Sequence, residues 1–169
     1  LFGGFTSAGA VGETWVFDGN WRRLAPVHEP RPRYSAGMAW DAGRQRIVLV
    51  GGITDNDVLS DVWEWDGQDW TQHAAVFPGF NTEAVTLAYD PWRRMLVASG
   101  GSRTWGFDGQ AWQALAISPA SGFASQSRAT FDPRRGSVVR FDPHTGVLWT
   151  LSAAGWDSVE TTGYPRDQF

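Results

Sequence analysis

The sequence of 169 residues contains no cysteine, which excludes a disulfide framework and any metal site built on thiolates. Without cysteine, the redox state of the compartment leaves no trace in the sequence. Residues 1–4 are apolar and follow no basic segment, so a signal peptide is either absent or already removed. Extracellular, periplasmic and cytoplasmic locations therefore all stay open.

Long apolar runs and basic runs are also missing. No stretch approaches the roughly 18 consecutive apolar residues that a membrane-spanning helix needs. The formal net charge is −4 and the basic residues form no run, so the attraction to phosphates that dominates nucleic-acid binding is missing. With 42% hydrophobic and 19% charged residues, the composition is typical of a folded domain. We therefore expect a globular chain with no membrane span and no nucleic-acid partner.

Tryptophan and glycine are abundant, with 11 and 20 copies, and they recur in fixed phrases. The first phrase is Trp-x-Phe/Trp-Asp-Gly, found at 15–19, 63–67 and 105–109, with a weaker copy at 149–151. The second is an Asp-x-x-Arg turn, found at 41–44, 90–93 and 132–135. Both phrases recur every 42 to 49 residues. Repeats of roughly 40–50 residues in a strand-rich chain indicate propeller blades, each a four-stranded sheet that is buried by stacking on its neighbours.

Each repeat reads as four short strands, a to d, and we expect little or no helix. Strand a, at 35–40 in one repeat, is small and apolar and leads into the Asp-x-x-Arg turn. In that turn the Asp side chain can accept a hydrogen bond from the backbone two residues on, while the Arg faces it. Strand b, at 46–50, is β-branched and is predicted to stop at Gly51-Gly52. Strand c holds the Trp-x-Phe/Trp phrase, Asp-Gly marks a tight hairpin, and strand d opens on Trp21, Trp70, Trp112 or Trp156.

Together these phrases closely resemble the bacterial form of the kelch repeat over essentially the whole chain. The resemblance implies an all-β, kelch-type β-propeller with about four four-stranded antiparallel blades, of which the first is incomplete. Its units are a partial blade at 1–31, blades at 32–77, 78–119 and 120–163, and the start of a next blade at 164–169. The fourth unit departs from the pattern at 138–141, where Val-x-Gly-Gly is expected, and its next turn looks more like that of quinoprotein-type blades.

The number of blades has a consequence for partners. Kelch rings usually have six or seven blades, so the resemblance implies that this chain is a fragment of a larger ring or a short chain that closes in an unusual way. The open sheet faces would be covered by the remainder of the propeller, by a second copy of the chain, or by the tail at 167–169 pairing beside the first blade in a small four-bladed ring.

Kelch-like rings generally bind ligands at the mouth of the central channel, on the loops between strands b and c and on the starts of strands a. Counted onto this sequence, the resemblance implies an exposed rim of Arg33, Tyr34, Ser35, Asp55, Asn56, Asp57, Thr82, Glu83, Ser102, Arg103, Ser125 and Gln126. The b–c loops are longer in the first two blades than in the third, which predicts a lopsided mouth. The leading hypothesis is a non-catalytic binding module that presents this rim to a protein or glycan ligand.

Two other functions stay open. Sialic-acid mutarotases of kelch-like fold are a precedent for an enzyme, which would need Glu83 as acid/base and Arg33, Arg103 or Arg128 converging in the channel. The third hypothesis is a purely structural segment of a larger secreted protein. A buried void that holds Glu83 and two of those arginines would favour the enzyme, whereas a flat, open rim would favour docking.

No metal or cofactor is predicted. The run Asp55-Asn56-Asp57 with Asp61 suggests a calcium loop, but the central Gly and final Glu of an EF-hand are missing. We interpret it as a solvated acidic turn. The three histidines lie at unrelated positions of the repeat, which gives no shared ligand spacing. Galactose oxidase has a kelch-like propeller and a copper site with a Tyr-Cys crosslink, which a chain without cysteine cannot form.

The recurring aspartates and tryptophans are assigned to structure. Asp18, Asp66 and Asp108 repeat with the blade and are expected in hairpin turns. The tryptophans of strands c and d are expected to pack between blades, because their strict recurrence follows the fold. Only the off-pattern Trp92, in a turn between strands a and b, is predicted to expose its ring.

Overall fold

The described part of the chain is built from β-strands alone. A computed structural model describes residues 1–79, 85–100, 103–117 and 127–159, and no helix occurs among them. The first sheet contains β1 (Phe2–Thr6), β2 (Gly9–Phe17) and β3 (Trp21–Arg23), and the second contains β4 (Gly37–Asp41), β5 (Arg46–Ile53), β6 (Val58–Trp65) and β7 (Trp70–Gln72). The third contains β8 (Thr86–Asp90), β9 (Met95–Gly100), β10 (Arg103–Phe107) and β11 (Trp112–Ile117), and the fourth contains β12 (Arg128–Asp132), β13 (Ser137–Asp142), β14 (Val147–Leu151) and β15 (Trp156–Val159).

Strands that are consecutive in the chain are neighbours in each sheet and pair antiparallel. The described residues thus form four antiparallel sheets of three or four strands, one after another, and the all-β prediction is confirmed to that extent. Short connections explain this order, because a tight turn can join antiparallel strands only when they lie side by side.

The Asp-x-x-Arg turns form as predicted. Asp41 Oδ1 accepts hydrogen bonds from the backbone N–H groups of Gly43 (3.0 Å) and Arg44 (3.1 Å), while Arg44 Nε donates to Asp41 Oδ2 at 2.8 Å. The same backbone and side-chain contacts recur at Asp90 with Arg93 and at Asp132 with Arg135. In the second, third and fourth sheets, one aspartate therefore accepts hydrogen bonds from the turn backbone and pairs with a guanidinium, which fixes the hairpin between the first two strands.

The predicted end of the second sheet's strand b is wrong. β5 continues through Gly51 and Gly52 to Ile53, and its pairing with β6 shifts register between Val50 and Gly52. Gly52 has a φ of +98°, and a Cβ there would lie 2.9 Å from the Tyr34 carbonyl oxygen. Glycine is needed because the strand bends past neighbouring backbone at this point, and it does so without ending.

Aromatic residues fill the space between successive sheets. Trp65 and Trp70 of the second sheet pack with Phe2 of the first, and the Phe2 and Trp70 rings meet edge to face at 5.2 Å. Phe107 and Trp112 pack in the same way on the second sheet, as Leu151 and Trp156 do on the third. All four predicted tryptophan starts of strand d are confirmed, and so is the exposed ring of Trp92. The prediction that Trp21 packs between blades is wrong, because its ring is largely exposed.

A hydrogen bond across the sheets accompanies this packing. Trp70 Nε1 donates to Thr14 Oγ1 of the preceding sheet at 2.9 Å, and Trp156 Nε1 donates to Thr104 Oγ1 at 2.7 Å. Thr14 and Thr104 each stand directly before the first Trp of the repeated phrase. Val62 holds that position in the second sheet, and the Nε1 of Trp112, which faces it, is buried without a hydrogen-bond partner. The repeat therefore provides a threonine acceptor twice and omits it once.

Candidate functional site

Two neighbouring loops and two aromatic rings come together at one end of the first and second sheets. We call this group the rim site and define it as Phe5, Ala10, Arg31, Tyr34 and residues 54–57. Tyr34 and Ile53 exchange two backbone hydrogen bonds of 2.9 Å, which place Tyr34 beside the start of the 54–57 loop. Ala10 pairs with Phe5 where β1 turns into β2, so the first sheet contributes a hairpin to the same end.

The 54–57 loop is held by its own threonine. Thr54 Oγ1 accepts hydrogen bonds from the backbone N–H groups of Asn56 (3.2 Å) and Asp57 (2.8 Å), and Thr54 N donates to the Asp57 carbonyl at 2.8 Å. Thr54 is buried, whereas Asp55, Asn56 and Asp57 are exposed. The loop therefore presents three polar side chains on a backbone that is already ordered, which lowers the entropic cost of binding.

A carboxylate joins this loop to the first sheet. Asp55 Oδ1 accepts a hydrogen bond of 3.0 Å from the backbone N–H of Ala10. Arg31 forms an exposed ion pair of 2.7 Å with Asp57 on the other side of the loop. A cleft of about 170 Å³ lies between these groups and is lined in part by Arg31, Asp55 and Asn56. The cleft thus offers guanidinium, carboxylate and amide groups to a ligand from one open side.

An aromatic pair stands next to the polar cleft. The rings of Phe5 and Tyr34 meet edge to face with centroids 4.8 Å apart, and Phe5 is 65% exposed. Sequence reasoning named Tyr34 but missed Phe5 and Arg31. The signal for Phe5 is its place directly after the paired glycines, where the second sheet carries Ile53. That signal was lost because the strand was expected to stop at the glycines.

Arg33 does not belong to the exposed rim, and the prediction that it does is wrong. Its side chain is fully buried and donates to both carboxylate oxygens of Asp61, at 2.5 and 2.9 Å, and to the Gly51 carbonyl at 2.8 Å. Trp63 Nε1 donates to the same carboxylate at 2.7 Å. Burial raises the pKa of Asp61, but hydrogen bonds from Arg33 and Trp63 lower it, and the net shift is below its ordinary value. The fully buried Arg33 and the partly buried Asp61 thus form an ion pair that joins the residues before β4 to β6 of the second sheet.

The remaining rim predictions divide into described and undescribed residues. Ser35 is exposed and has a φ of +56°, and Arg103 is exposed at the start of β10. The others lie outside the described residues: Thr82, Glu83, Ser102, Ser125 and Gln126. The acid/base position of the enzyme hypothesis is among them. Of the arginines that the enzyme hypothesis needs, Arg33 already forms an ion pair with Asp61.

The carboxylates of the acidic run at 55–57, and that of Asp61 after it, already bind other groups of the protein. Asp55 accepts from Ala10, Asp57 pairs with Arg31, and Asp61 is bound by Arg33 and Trp63. Within the described ranges no group of three or more acidic or histidine side chains is arranged to hold a metal ion.

All three recurring aspartates lie in hairpin turns, as predicted, and two of them bind the turn backbone through the side chain. Asp66 Oδ1 accepts two backbone N–H bonds of 2.8 Å inside its hairpin, and Asp108 Oδ1 does so at 2.8 and 2.9 Å. These backbone bonds hold the pKa of both carboxyl groups below the ordinary value. Asp18 lies in the hairpin between β2 and β3, where its backbone N–H donates to the Asn20 carbonyl at 3.3 Å and its side chain forms an exposed ion pair with Arg22.

Comparison of the chain with protein-family models and with curated protein sequences gives no match. The part of the chain that the structure describes contains no helix with the length and apolar character to cross a membrane.

Proposed function

We propose that this chain is a non-catalytic binding module made of kelch-like propeller blades, and that its rim site binds a protein or glycan ligand. The observation that carries the proposal is the hydrogen bond from the Ala10 backbone N–H to Asp55 Oδ1, which joins the hairpin of the first sheet to the 54–57 loop. A bond between a side chain and the backbone of a neighbouring sheet holds the exposed groups in one arrangement before any ligand arrives. Preorganisation of this kind favours binding because little freedom is lost on association.

The kelch-like part of the proposal rests on the repeat. Four antiparallel sheets follow one another along the chain, and the aromatic phrase of the second, third and fourth sheets packs on the preceding sheet. This is how propeller blades bury their faces. Trp65, Trp70, Phe107, Trp112 and Trp156, which carry part of the resemblance to kelch repeats, are among the residues that make these contacts.

The chemistry of the rim suits a polar ligand with one apolar group. Arg31 and the 54–57 loop supply donors and acceptors, and Phe5 with Tyr34 supplies an aromatic surface beside them. Aromatic and arginine side chains dominate the binding energy of protein interfaces. An exposed aromatic ring next to hydrogen-bonding groups also fits a sugar, whose apolar face packs on the faces of aromatic rings.

The test is a screen of the purified chain on a printed glycan array and with a phage-displayed peptide library. Phe5→Ala and Asn56→Ala should each lower the affinity for the ligands found. The loss should be at least about 30-fold for Phe5→Ala, which removes a central aromatic contact. Both side chains are exposed, so thermal unfolding should stay nearly unchanged. Gln68→Ala is the matched control, because Gln68 is also exposed but lies in the hairpin at the other end of β6.

Two results would overturn the proposal. One is the absence of any ligand in both screens. The other is a ligand whose affinity is unchanged by Phe5→Ala and Asn56→Ala, which would move the binding surface to another part of the chain.

A further inference from the structure

The first sheet lacks the strand that begins each of the other sheets. Its order is β1-β2-β3, whereas the other three sheets start with β4, β8 and β12, each paired antiparallel with the strand that follows it. Within the described ranges no strand pairs with the outer side of β1. We call this place the open edge and define it as the backbone of β1 from Phe2 to Phe5 with the side chains of Met38 and Trp40.

Backbone groups of β1 point outward at the open edge. Leu1 N donates to the Trp15 carbonyl and Trp15 N donates to the Leu1 carbonyl, both at 2.9 Å. In an antiparallel ladder such a pair alternates with one whose backbone groups point away from the partner strand, and the next pair is Phe2 with Thr14. The N–H and C=O groups of Phe2 therefore face the outer side of the sheet, where an added strand can bind them.

The counterparts of Phe2 in the next two sheets are bound by a strand. Val50 and Ser99 stand directly before paired glycines, as Phe2 does. Val50 pairs with Gly37 of β4, and Ser99 pairs with Thr86 of β8. The repeat thus shows twice which kind of structure this position accepts, and in both cases it is an extended segment of chain.

Phe5 provides a second position for backbone pairing. Phe5 follows the paired glycines of the first sheet, and Ile53 follows those of the second. Both have the same register with the next strand, since Phe5 pairs with Ala10 and Ile53 pairs with Val58. Ile53 exchanges two backbone hydrogen bonds of 2.9 Å with Tyr34 on its other side. By this equivalence, a segment that binds the backbone of Phe2 can continue along β1 to Phe5.

The two side chains of the open edge are more exposed than their counterparts. Met38 is 38% exposed and Trp40 is 52% exposed. Counted back from the Asp of each turn, their counterparts in the third sheet are Leu87 and Tyr89. Leu87 is only 7% exposed, because both residues pack in one apolar cluster with Ala39 of β4. Met38 and Trp40 lack such a cover, since the first sheet has no strand in the place of β4.

The repeat also indicates which residue an added strand must carry. Where the following sheet presents Leu87, the covering residue is Gly37, and a Cβ at Gly37 would lie 2.8 Å from Leu87 Cδ1. Where the following sheet presents the smaller Ala129, the covering residue is Thr86, whose Oγ1 accepts a hydrogen bond of 3.0 Å from Ala129 N. Met38 holds the position of Leu87 and Ala129 in the second sheet. Because its side chain is long, the covering residue of an added strand must be glycine.

We infer that the open edge binds an extended segment of a partner protein as the fourth strand of the first sheet. The segment carries glycine opposite Phe2 and a second small residue two positions later, as Gly37 and Ala39 do in β4. In strand addition of this kind, backbone hydrogen bonds supply affinity and the fit of alternate side chains supplies specificity. The inference does not rest on the rim site, which the open edge meets only at Phe5.

An extended peptide fits the open edge better than a small apolar ligand does. The cleft between the first two sheets, about 450 Å³, reaches the open edge and is lined in part by Leu1 and Met38. An apolar molecule in this cleft would cover side chains only. A peptide strand covers Met38 and Trp40 and also binds the Phe2 backbone, which is the kind of edge that pairs readily with another chain.

Fluorescence anisotropy with a labelled synthetic peptide tests the inference. The peptide has the sequence of residues 34–41, which places its glycine opposite Phe2. It should bind the full chain, and Gly37→Leu in the peptide should weaken binding by at least about 10-fold, because the added side chain meets Met38. Hydrogen exchange of the Phe2 N–H, followed by NMR, should slow when the peptide binds.

Matched controls separate backbone pairing from apolar contact. A methyl group on the peptide nitrogen of the residue opposite Phe2 should abolish binding, whereas the same group on the next residue should have little effect, because that N–H points away from β1. In the chain, Trp40→Ser should weaken binding, whereas Trp92→Ser should not, since Trp92 is 74% exposed but lies in the turn between β8 and β9. Both rings are exposed, so both variants should fold as before by circular dichroism. Asn56→Ala in the rim site should leave peptide binding unchanged, which keeps the two surfaces distinguishable.

The inference fails if the peptide does not bind at millimolar concentration, if the glycine and leucine peptides bind equally, or if the protected amides lie outside β1. The predicted strand start at 164–169 lies outside the described residues, and a chain shortened to residue 163 tests it as a competitor. Equal affinity of the full and the shortened chain is the expected result. Binding to the shortened chain alone would assign the open edge to the chain's own tail and would overturn the inference of a partner.

Discussion

A buried hydrogen-bond donor without a partner gives the sharpest test of the packing between sheets. Val62→Thr should stabilise the chain, because it places a hydroxyl where the first and third sheets place one for the same indole position. Thr14 accepts from Trp70 and Thr104 accepts from Trp156, whereas Trp112 Nε1 is buried and unpaired. The backbone supports this equivalence, since Thr14 O and Val62 O each accept a bond of 2.8 Å from the following strand segment.

The expected gain is about 1 kcal/mol in the free energy of unfolding. Valine and threonine have nearly the same shape, so the change exchanges one methyl group for a hydroxyl. An unpaired buried donor costs about 1–3 kcal/mol, and pairing it recovers that penalty. The lost methyl group subtracts about 0.8 kcal/mol of apolar burial. For a chain of this length a net 1 kcal/mol corresponds to an increase of about 2–4 °C in Tm.

Urea unfolding followed by circular dichroism measures the effect, and Trp112→Phe provides the control background. Phenylalanine has no N–H, so Val62→Thr should destabilise in that background, because the new hydroxyl is buried without the indole to pair with. Thr14→Val should cost about 1–2 kcal/mol by leaving Trp70 unpaired. If Val62→Thr changes stability equally in both backgrounds, the hydroxyl does not pair with Trp112 and the reasoning fails.

Three further predictions concern buried or crowded groups. Arg33→Ala should destabilise by about 3 kcal/mol in urea unfolding, because it leaves the partly buried carboxylate of Asp61 without its cation; a loss under 1 kcal/mol would contradict the buried pair. The lowered pKa of Asp61 contributes stability above its unfolded value of about 3.9 and loses it as pH falls, so Asp61→Asn should show a flatter decline in stability in acid than the wild type. Gly109→Ala should cost about 1 kcal/mol more than Gly67→Ala, since both glycines have a φ near +100° but a Cβ at Gly109 meets Arg44 Cδ at 2.5 Å whereas one at Gly67 meets nothing; equal losses in thermal unfolding would contradict this.

The sequence predicts the strands and turns well because those features depend on neighbouring residues. The turn at Asp41 is closed by Arg44, three positions away, and strand d begins on the tryptophan that follows each Asp-Gly hairpin. Such local rules are repeated in every unit, so each copy supports the interpretation of the others. The end of β5 was misjudged because paired glycines are consistent either with a stop or with a bend, and only the nearby Tyr34 carbonyl decides between them.

The candidate site was harder to predict because it depends on contacts between distant residues. The count along the repeat placed Arg33 at the rim, but its guanidinium reaches Asp61, 28 positions further along the chain. The position of a residue within the repeat does not determine the direction in which a long side chain extends. Phe5 and Arg31 belong to the site because the hairpin of the first sheet lies beside the 54–57 loop, a contact between residues far apart in the sequence.

The buried Arg33 still influences the rim, although it cannot contact a ligand there. Its backbone carbonyl accepts from Gly4 N at 2.9 Å and its backbone N–H donates to the Val11 carbonyl at 3.1 Å, so it joins the second sheet to two strands of the first, β1 and β2. Its side chain holds Gly51 and Asp61 within the second sheet. The relative position of the two rim loops therefore depends on a residue beneath them. A rim built this way keeps its shape while its exposed side chains vary, because the groups that set the geometry differ from the groups that meet the ligand.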